Sequence, residues 1–187
     1  KIAMDVRPAL SKGTGVGTFV EQLAIALDSL PGDHNIRLFS TSLKERWPAH
    51  RLKGLKKSKM VDKKIPVQLM NLLWHRAAWP PVDMFTGKVD IAHSPTPLIM
   101  PTKGKKVITL HDLYFLKNPD HTVNEIKRDY PAMVKKHAET ADGILAVSQA
   151  TADDASELLG IDQSKITVGW NDAAPLYDEE PGKRELE

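Results

Sequence analysis

The chain has 187 residues, 41% of them apolar and 27% charged, which fits an ordinary globular protein and not a disordered, collagen-like or membrane-spanning one. It contains no cysteine, which excludes disulfides, thiolate metal sites and a cysteine nucleophile. The 26 Lys and Arg residues nearly balance the 24 Asp and Glu residues, so the charge does not indicate a nucleic-acid partner. Residues 1–5 lack the apolar stretch of a signal peptide, and a single-domain cytoplasmic protein is the first expectation.

The charges are unevenly distributed along the chain. Between Lys44 and Lys64 there are nine Lys or Arg residues and two acidic ones. Between Asp172 and Glu187 there are six acidic residues and two basic ones. We interpret these segments as a solvated basic face and an acidic tail. The alternative for the basic segment is contact with an anionic lipid or another anionic ligand.

In the first half of the chain, short apolar runs alternate with helical patterns. The sequence predicts a first strand at Lys1–Val6, followed by a loop that holds three glycines. A helix then begins near Phe19 and stops at Pro31. The elements predicted next are a strand at Ile36–Ser40, a short strand near Met60–Ile65 and an apolar helix at Val67–Trp79.

The second half continues the same alternation. The predicted strands are Val89–His93, Lys106–His111, Gly143–Val147 and Lys165–Val168. One predicted helix spans Val123–Ala141, and Pro131 should kink it or mark a fresh start after Asp129. A second helix runs to Leu159 with Ser148 as its N-cap and Gly160 as its stop.

This alternation predicts an α/β fold: a single Rossmann-like, doubly wound, mostly parallel sheet with helices on both faces. Residues 1–170 would form the domain, and residues 171–187 an acidic tail. Ligands of such sheets bind beyond the carboxyl ends of the strands. That rule selects four places, which are Asp5 to Gly17, His93 to Pro97, His111 to Phe115, and Ser148.

The first candidate site is the glycine-rich run Gly13-Thr14-Gly15-Val16-Gly17 between a strand and a helix. Glycines let the backbone approach an anion, and the helix N-terminus supplies unpaired N–H groups. The spacing is not that of the dinucleotide fingerprint, and no carboxylate ends the second strand at Phe39–Ser42. An NAD-dependent oxidoreductase is therefore disfavoured. The alternative for the run is a turn that binds no ligand.

The second candidate site is His111-Asp112-Leu113-Tyr114 at a predicted strand end. A histidine beside an aspartate there suits a general base or a contact to a sugar hydroxyl. The alternative is a histidine that merely closes the sheet. His93 gives a weaker version of the same pattern, and no third ligand joins it and His111, so no metal site is expected. Ser148 is interpreted as a helix cap, with a phosphate or sugar contact as the alternative.

Three stretches in order carry a resemblance to a known family, namely IAMDVRPALSKGTGVGTFVEQLAIAL, HDLYFLKNPD and ADGILAVSQATADDASELLGIDQSKITV. Together they resemble the amino-terminal half of the family 4 retaining glycosyltransferases, which have two facing Rossmann-like domains (the GT-B fold). The resemblance implies transfer of a hexose from a nucleotide-diphosphate sugar to a carbohydrate or lipid-linked acceptor, with retention of configuration and no cofactor.

The resemblance also implies roles for residues of this chain. Gly13, Gly15 and Gly17 would lie against the diphosphate and sugar of the donor. His111 would be the catalytically important histidine, with Asp112 beside it in the cleft. The remaining donor- or acceptor-binding candidates at the same predicted edge are Asp5, Tyr114 and Ser148.

The resemblance has two departures. The run Val168–Pro175 diverges from the family's turn into its second domain, and that domain's paired-glutamate signature has no match in the chain. The expectation is therefore half of an active site, with weak donor binding, no ordinary turnover and residues 171–187 as the start of a linker to a C-terminal domain. The alternative is a non-catalytic binding module, or one chain of a split enzyme that needs a partner chain.

Contact with the inner face of a membrane is a further hypothesis. The helix predicted at Val67–Trp79 is apolar and follows several lysines, a combination that suits an anionic bilayer surface. The alternative is a core helix on the sheet with the lysines as its solvated rim. The residues concerned are Lys53, Lys56, Lys57, Lys59, Lys63, Lys64, Leu69, Leu72, Leu73, Trp74 and Trp79.

Overall fold

The computed structural model of the protein describes residues 1–10, 14–47, 54–119 and 129–171. These residues contain one sheet of seven strands. In chain order the strands are β1 (Ile2–Asp5), β2 (Ile36–Thr41), β3 (Ser58–Lys63), β4 (Ile91–Ser94), β5 (Lys105–Leu110), β6 (Gly143–Ala146) and β7 (Ile166–Val168).

The sheet has the order β3-β2-β1-β4-β5-β6-β7, and every neighbouring pair is parallel. The chain first builds outward from β1 to β3, and then crosses back to place β4 on the other side of β1. The order therefore reverses between β1 and β4, which is the topological switch point of a doubly wound fold. Both strands end at the same edge there.

The described helices have the following bounds: α1 (Gly15–Ser29), α2 (Val67–Ala77), α3 (Asp83–Thr86), α4 (Tyr114–Lys117), α5 (Tyr130–Thr140) and α6 (Gln149–Leu159). Short 3₁₀ helices follow β1 at Arg7–Leu10 and precede β7 at Gln163–Lys165. The connection from β4 to β5, residues 95–104, consists of bends and irregular chain and contains no helix. None of the described helices is both long enough and apolar enough to cross a bilayer.

Alternating residues of each strand point to opposite faces, and each face has its own helices. Met4 of β1 packs in a buried cluster with Val20 of α1, while its neighbour Ala3 packs with Met70 and Trp74 of α2. Ile108 of β5 lies on the α2 side of the sheet, where it packs against α5 and α6. The predicted α/β fold with helices on both faces of the sheet is confirmed.

Most element boundaries agree with the prediction to within a few residues. Lys63 ends β3 sooner than expected, and α2 stops at Ala77, where Ala78 adopts a left-handed conformation. The expected fresh start at Pro131 is confirmed, because α5 begins at Tyr130 with proline in its first turn. The short helices α3 and α4 were not predicted. Residues 120–128 and the acidic tail from residue 172 onward lie outside the described residues.

Candidate functional site

The candidate site lies at the carboxyl edge of the sheet, around the switch point. Asp5 ends β1 and Ser94 ends β4, while His111 directly follows β5. Val147 and Ser148 follow β6. Because the strands are parallel, all of these residues come out at one edge. The carboxyl-edge rule thus gathers residues that are far apart in the sequence.

His111 is held at this edge by its ring and by its backbone. The ring Nε2 lies 3.1 Å from the carbonyl oxygen of Pro95. A carbonyl can only accept a hydrogen bond, so Nε2 carries the proton and donates it. In the neutral ring Nδ1 is then the unprotonated nitrogen. The imidazole therefore has a defined tautomer, with Nδ1 able to accept a hydrogen bond.

The first turns of α1 lie beside this imidazole. The rings of Phe19 and His111 meet edge to face with centroids 4.9 Å apart. Thr14 caps α1, since its side-chain oxygen accepts the N–H of Gly17 at 3.0 Å. The first N–H groups of a helix have no acceptor in a preceding turn, and the helix dipole makes this end positive. The N-terminal turns of α1 and the His111 ring are thus neighbours.

The sequence predicted that all three glycines of the run lie in a loop, and the structure differs from this prediction. Gly15 and Gly17 belong to the first turn of α1, because the Thr14 cap starts the helix before them. A β-carbon added to Gly15 would have no atom within 4 Å, so packing does not require glycine there. Gly13 lies outside the described residues. The prediction of a glycine loop is therefore wrong for two of the three positions, which are helical.

Helix α6, which follows the neighbouring strand β6, is hydrogen-bonded to the backbone of His111. The side-chain oxygen of Ser148 accepts the N–H of Thr151 at 3.1 Å, which confirms Ser148 as the N-cap. The hydroxyl of Thr151 in turn donates to the backbone carbonyl of His111 at 3.2 Å. The two hydroxyls are 3.0 Å apart. The capping motif of α6 thus ties the end of β6 to the end of β5.

Asp5 is engaged by another residue of the chain. It is buried, and its carboxylate accepts hydrogen bonds from Nε and Nη2 of Arg7 at 2.9 and 2.6 Å. Arg7 also donates to Asn71 at 2.8 Å and stacks on the Trp74 ring at 4.4 Å. The pair lines a cavity of about 270 Å³ that Tyr130 also borders. Any ligand in that cavity would meet an aspartate that is already paired with arginine.

Asp112 and Tyr114 lie on the outer side of the site. One carboxylate oxygen of Asp112 accepts the backbone N–H of Tyr114 at 3.0 Å and so stabilises the start of α4. The Tyr114 side chain is 50% exposed. Both side chains are accessible, but the described contacts of Asp112 do not include the His111 ring.

His93 lies deeper at the same edge than His111. Its Nε2 is 2.9 Å from the hydroxyl of Thr109, and the side chain is buried between β1 and β5. The pKa of His93 is lowered to about 4, mainly by burial; Asp5 opposes the shift and His111 contributes to it. His93 is therefore an uncharged part of the sheet. In the described part of the chain, no three His, Cys, Asp or Glu side chains cluster as they would to hold a metal ion.

Comparison with known families decides the identity of this domain. Residues 13–171, well over half of the chain, match the model of the family described as Glycosyltransferase Family 4. The chain belongs to glycosyltransferase family 4. No curated protein matches the sequence. The match spans α1, the carboxyl ends of β4 to β6 and helix α6, so Gly15, Gly17, His111 and Ser148 lie within it, whereas Asp5 and Arg7 precede it.

The family 4 domain brings together some of the predicted site residues and leaves others apart. His111 contacts Phe19 of α1, the helix whose first turn contains Gly15 and Gly17, and it is bonded through Thr151 to the helix that Ser148 caps. Asp5 is paired with Arg7, and Asp112 accepts the backbone N–H of Tyr114 at the start of α4. Sequence reasoning missed three residues that position His111, which are Phe19, Pro95 and Thr151. Of these only Thr151 left a local signal, because a threonine at the third helical position follows an N-cap serine.

Proposed function

We propose that the carboxyl edge of this domain binds a nucleotide-diphosphate sugar, and that the domain takes part in transferring the hexose to an acceptor with retention of configuration. Membership of glycosyltransferase family 4 supports sugar transfer in general. The observation that carries the proposal is the 4.9 Å contact between the rings of Phe19 and His111. It joins a positive helix terminus and a hydrogen-bonding imidazole, which suit the two ends of a sugar diphosphate.

In this proposal the first turn of α1 binds the diphosphate. Backbone N–H groups at a helix N-terminus and the helix dipole both favour a phosphate oxygen. The open space above Gly15 leaves room for the ligand to approach the backbone. As the bond from the anomeric carbon to the diphosphate breaks, negative charge develops on the departing oxygen. The same N–H groups would stabilise that charge, which is the source of the rate gain.

His111 contacts the sugar in this proposal. With Nε2 donating to Pro95, its Nδ1 accepts a hydrogen bond from a hydroxyl of the donor hexose. The anomeric carbon then forms its new bond to the acceptor oxygen on the face from which the diphosphate leaves. The acceptor's proton passes to the departing diphosphate oxygen, so that charge and atoms balance. The role of His111 is to orient the sugar during this exchange.

Residues 1–187 by themselves are proposed to bind the donor weakly and to show no turnover. The proposed donor contacts all come from one edge of one sheet. Transfer of the sugar requires that the diphosphate be held from more than one side. A second sugar-nucleotide domain would supply the remaining contacts, either in the same polypeptide or in a separate partner chain. A binding module without catalysis is the alternative, and it differs in showing no transfer under any combination of chains.

The test measures binding of UDP, GDP, UDP-glucose and GDP-mannose to the chain and to His111→Ala. We expect the variant to bind the preferred sugar nucleotide about tenfold more weakly and the matching nucleoside diphosphate equally well, because His111 contacts only the sugar. His34→Ala, which removes an exposed histidine elsewhere, is the matched control. Equal weakening for the diphosphate and the sugar nucleotide would contradict the assignment of His111.

Contact with an anionic bilayer through α2 is a second proposal. Met70 and Trp74 of α2 are buried in the core, as the alternative interpretation predicted. The opposite side of the helix nevertheless leaves Leu69 and Leu72 47% and 56% exposed. We expect Leu69→Gln with Leu72→Gln to abolish co-sedimentation with phosphatidylglycerol vesicles. Co-sedimentation that is equally strong with neutral vesicles would remove the proposal.

A further inference from the structure

A second cavity lies away from the carboxyl edge, in the groove between α2 and α5. It has a volume of about 390 Å³, within the range of small-molecule sites. Part of its lining comes from the irregular β4–β5 connection. The apolar part of the lining consists of Trp74, Ala78, Pro81, Ile99 and Pro101.

The rim of this groove carries positive charge. Arg76 from α2, Lys103 and Lys106 from the β4–β5 region and Lys136 from α5 all line the cavity, and no acidic residue does. Within the described ranges, none of these four side chains forms an ion pair with a carboxylate. Four cations around one apolar cavity repel one another unless an anion joins them.

The carboxylates beside the groove are already engaged. Asp142 accepts the Lys105 ammonium at 2.9 Å and the backbone N–H of Lys106 at 2.9 Å. Asp83 accepts the Thr102 hydroxyl at 2.8 Å and the backbone N–H of Lys103 at 3.0 Å. These bonds fix the floor and the rim of the groove. They leave the cationic side chains of Arg76, Lys103 and Lys136 available to a ligand.

His137 adds a neutral hydrogen-bond donor at the base of the groove. Its Nδ1 accepts the backbone N–H of Ile99 at 2.7 Å, so its proton is on Nε2. The pKa of His137 is lowered to about 4, mainly by burial, with smaller contributions from His75 and Lys136. The ring is thus uncharged at neutral pH, and the positive charge of the groove comes from the lysines and the arginine.

We propose that this groove is a binding site for an alkyl phosphate, with the chain on the apolar floor and the phosphate among Arg76, Lys103, Lys106 and Lys136. A phosphate monoester carries close to two negative charges and three acceptor oxygens, which match several cations better than one carboxylate does. Trp74 is only 2% exposed, so the groove offers little aromatic face for a nucleobase, and an aliphatic chain fits the prolines and Ile99. The proposal does not depend on sugar transfer at the other edge.

The test uses dodecyl phosphate below its micelle concentration as the probe, with inorganic phosphate and dodecyl maltoside as comparisons. The variant is Lys103→Glu with Lys136→Glu, both of which are exposed, so the fold should tolerate the change. The matched control is Lys44→Glu with Lys59→Glu, which changes the net charge equally at exposed positions elsewhere. Calorimetry gives the affinities, and amide NMR shifts of Ile99 and His137 report the location.

We expect dodecyl phosphate to bind at least about tenfold more tightly than either comparison compound, and the Lys103 and Lys136 variant to lose about tenfold in affinity. The control variant should keep the wild-type affinity, and the shifts of Ile99 and His137 should move only with the alkyl phosphate. Equal losses in the two variants would mean unspecific charge attraction and would overturn the proposal. Tight binding of inorganic phosphate or of the neutral detergent alone would overturn it as well.

Discussion

The amino edge and the carboxyl edge of the sheet differ in how their polar groups are used. At the amino edge, carboxylates are bonded to backbone N–H groups: Asp28 to Lys56, Lys57 and Ser58, and Asp83 to Val89 and Lys103. At the carboxyl edge, the first turn of α1 faces open space at Gly15. The His111 ring donates from Nε2, so its Nδ1 is unprotonated and able to accept a hydrogen bond.

This difference shows how one fold separates stability from binding. At the amino edge these carboxylates are satisfied by backbone groups of the chain, so a change to them or to the backbone they hold should cost folding free energy. The carboxyl edge leaves helix N–H groups and side chains for a ligand, so a change there should cost affinity and little stability. The Asp5–Arg7 pair is the exception, because it closes part of the carboxyl edge internally.

The largest effect is expected from Gly104→Ala at the amino edge. The added β-carbon would lie 2.6 Å from the carbonyl oxygen of Val89 and 2.7 Å from that of Asp90. Both are backbone atoms, which cannot move without displacing the start of β4. We expect the free energy of unfolding in urea to fall by about 3 kcal/mol. A loss no larger than that of Gly15→Ala would contradict the contrast between the edges.

Asp28→Ala should give the next largest loss of stability. It would leave the backbone N–H groups of Lys56, Lys57 and Ser58 without their acceptor, at a cost of about 2 kcal/mol. Asp33→Ala, at an exposed position nearby, is the control and should change nothing measurable in urea unfolding.

The Asp28 contribution should also depend on pH. Burial raises the pKa of Asp28, but the N–H groups of Lys56, Ser58 and Lys57 outweigh it and hold the pKa below 3.8. A lowered pKa stabilises the fold above the unfolded value, and the stabilisation is lost as the pH falls through the folded value. The stability difference between wild type and Asp28→Ala should therefore shrink below about pH 4. A difference that stays constant in acid would refute this cause.

Gly15→Ala is the complementary change at the carboxyl edge. Alanine there meets no atom within 4 Å and favours the helix, so stability should stay the same or rise by up to about 0.5–1 kcal/mol. If the donor diphosphate lies against this turn, the affinity for UDP and UDP-glucose should both fall by about tenfold, since the methyl group occupies its place. Unchanged affinity of Gly15→Ala for both ligands in calorimetry would contradict the placement of the diphosphate against α1.

The smallest effect is expected from Thr151→Val, which removes the hydroxyl that donates to the His111 carbonyl. The loss of one such hydrogen bond should cost about 1 kcal/mol in urea unfolding. Nitrogen-15 NMR of the His111 ring should show Nε2 protonated in the wild type, with shifted ring signals in the variant. Thr151→Ser keeps the hydroxyl and is the control. Protonation at Nδ1 in the wild type would refute the assigned tautomer.

Much of the fold could be predicted because strand and helix patterns are local. The apolar run at Gly143–Val147 and the Ser148 cap placed β6 and α6 almost to the residue. The short helices α3 and α4 were missed because four residues are too few to show a helical period. Gly15 was placed in a loop because glycine usually interrupts helices, whereas the Thr14 cap starts α1 before it.

The candidate site could be predicted only in part, for the same reason. His111 and Ser148 were selected because His111 ends one predicted strand and Ser148 directly follows another. The residues that orient His111 were not predicted, because Pro95 and Phe19 are distant from it in the sequence and nothing in the local sequence indicates their contacts with its ring. Asp5 was read as a ligand contact because the sequence does not show that the Arg7 side chain folds back onto it.

The order of strand and helix patterns by itself determined the α/β fold, and three motif stretches in order carried the likeness to one family. The expected ligand edge followed from the rule that parallel strands end together. Tertiary structure alone decided the tautomer of His111, the pairing of Asp5 with Arg7 and the basic groove between α2 and α5. Each of these depends on contacts between residues far apart in the chain, and such contacts exist only after the sheet has formed.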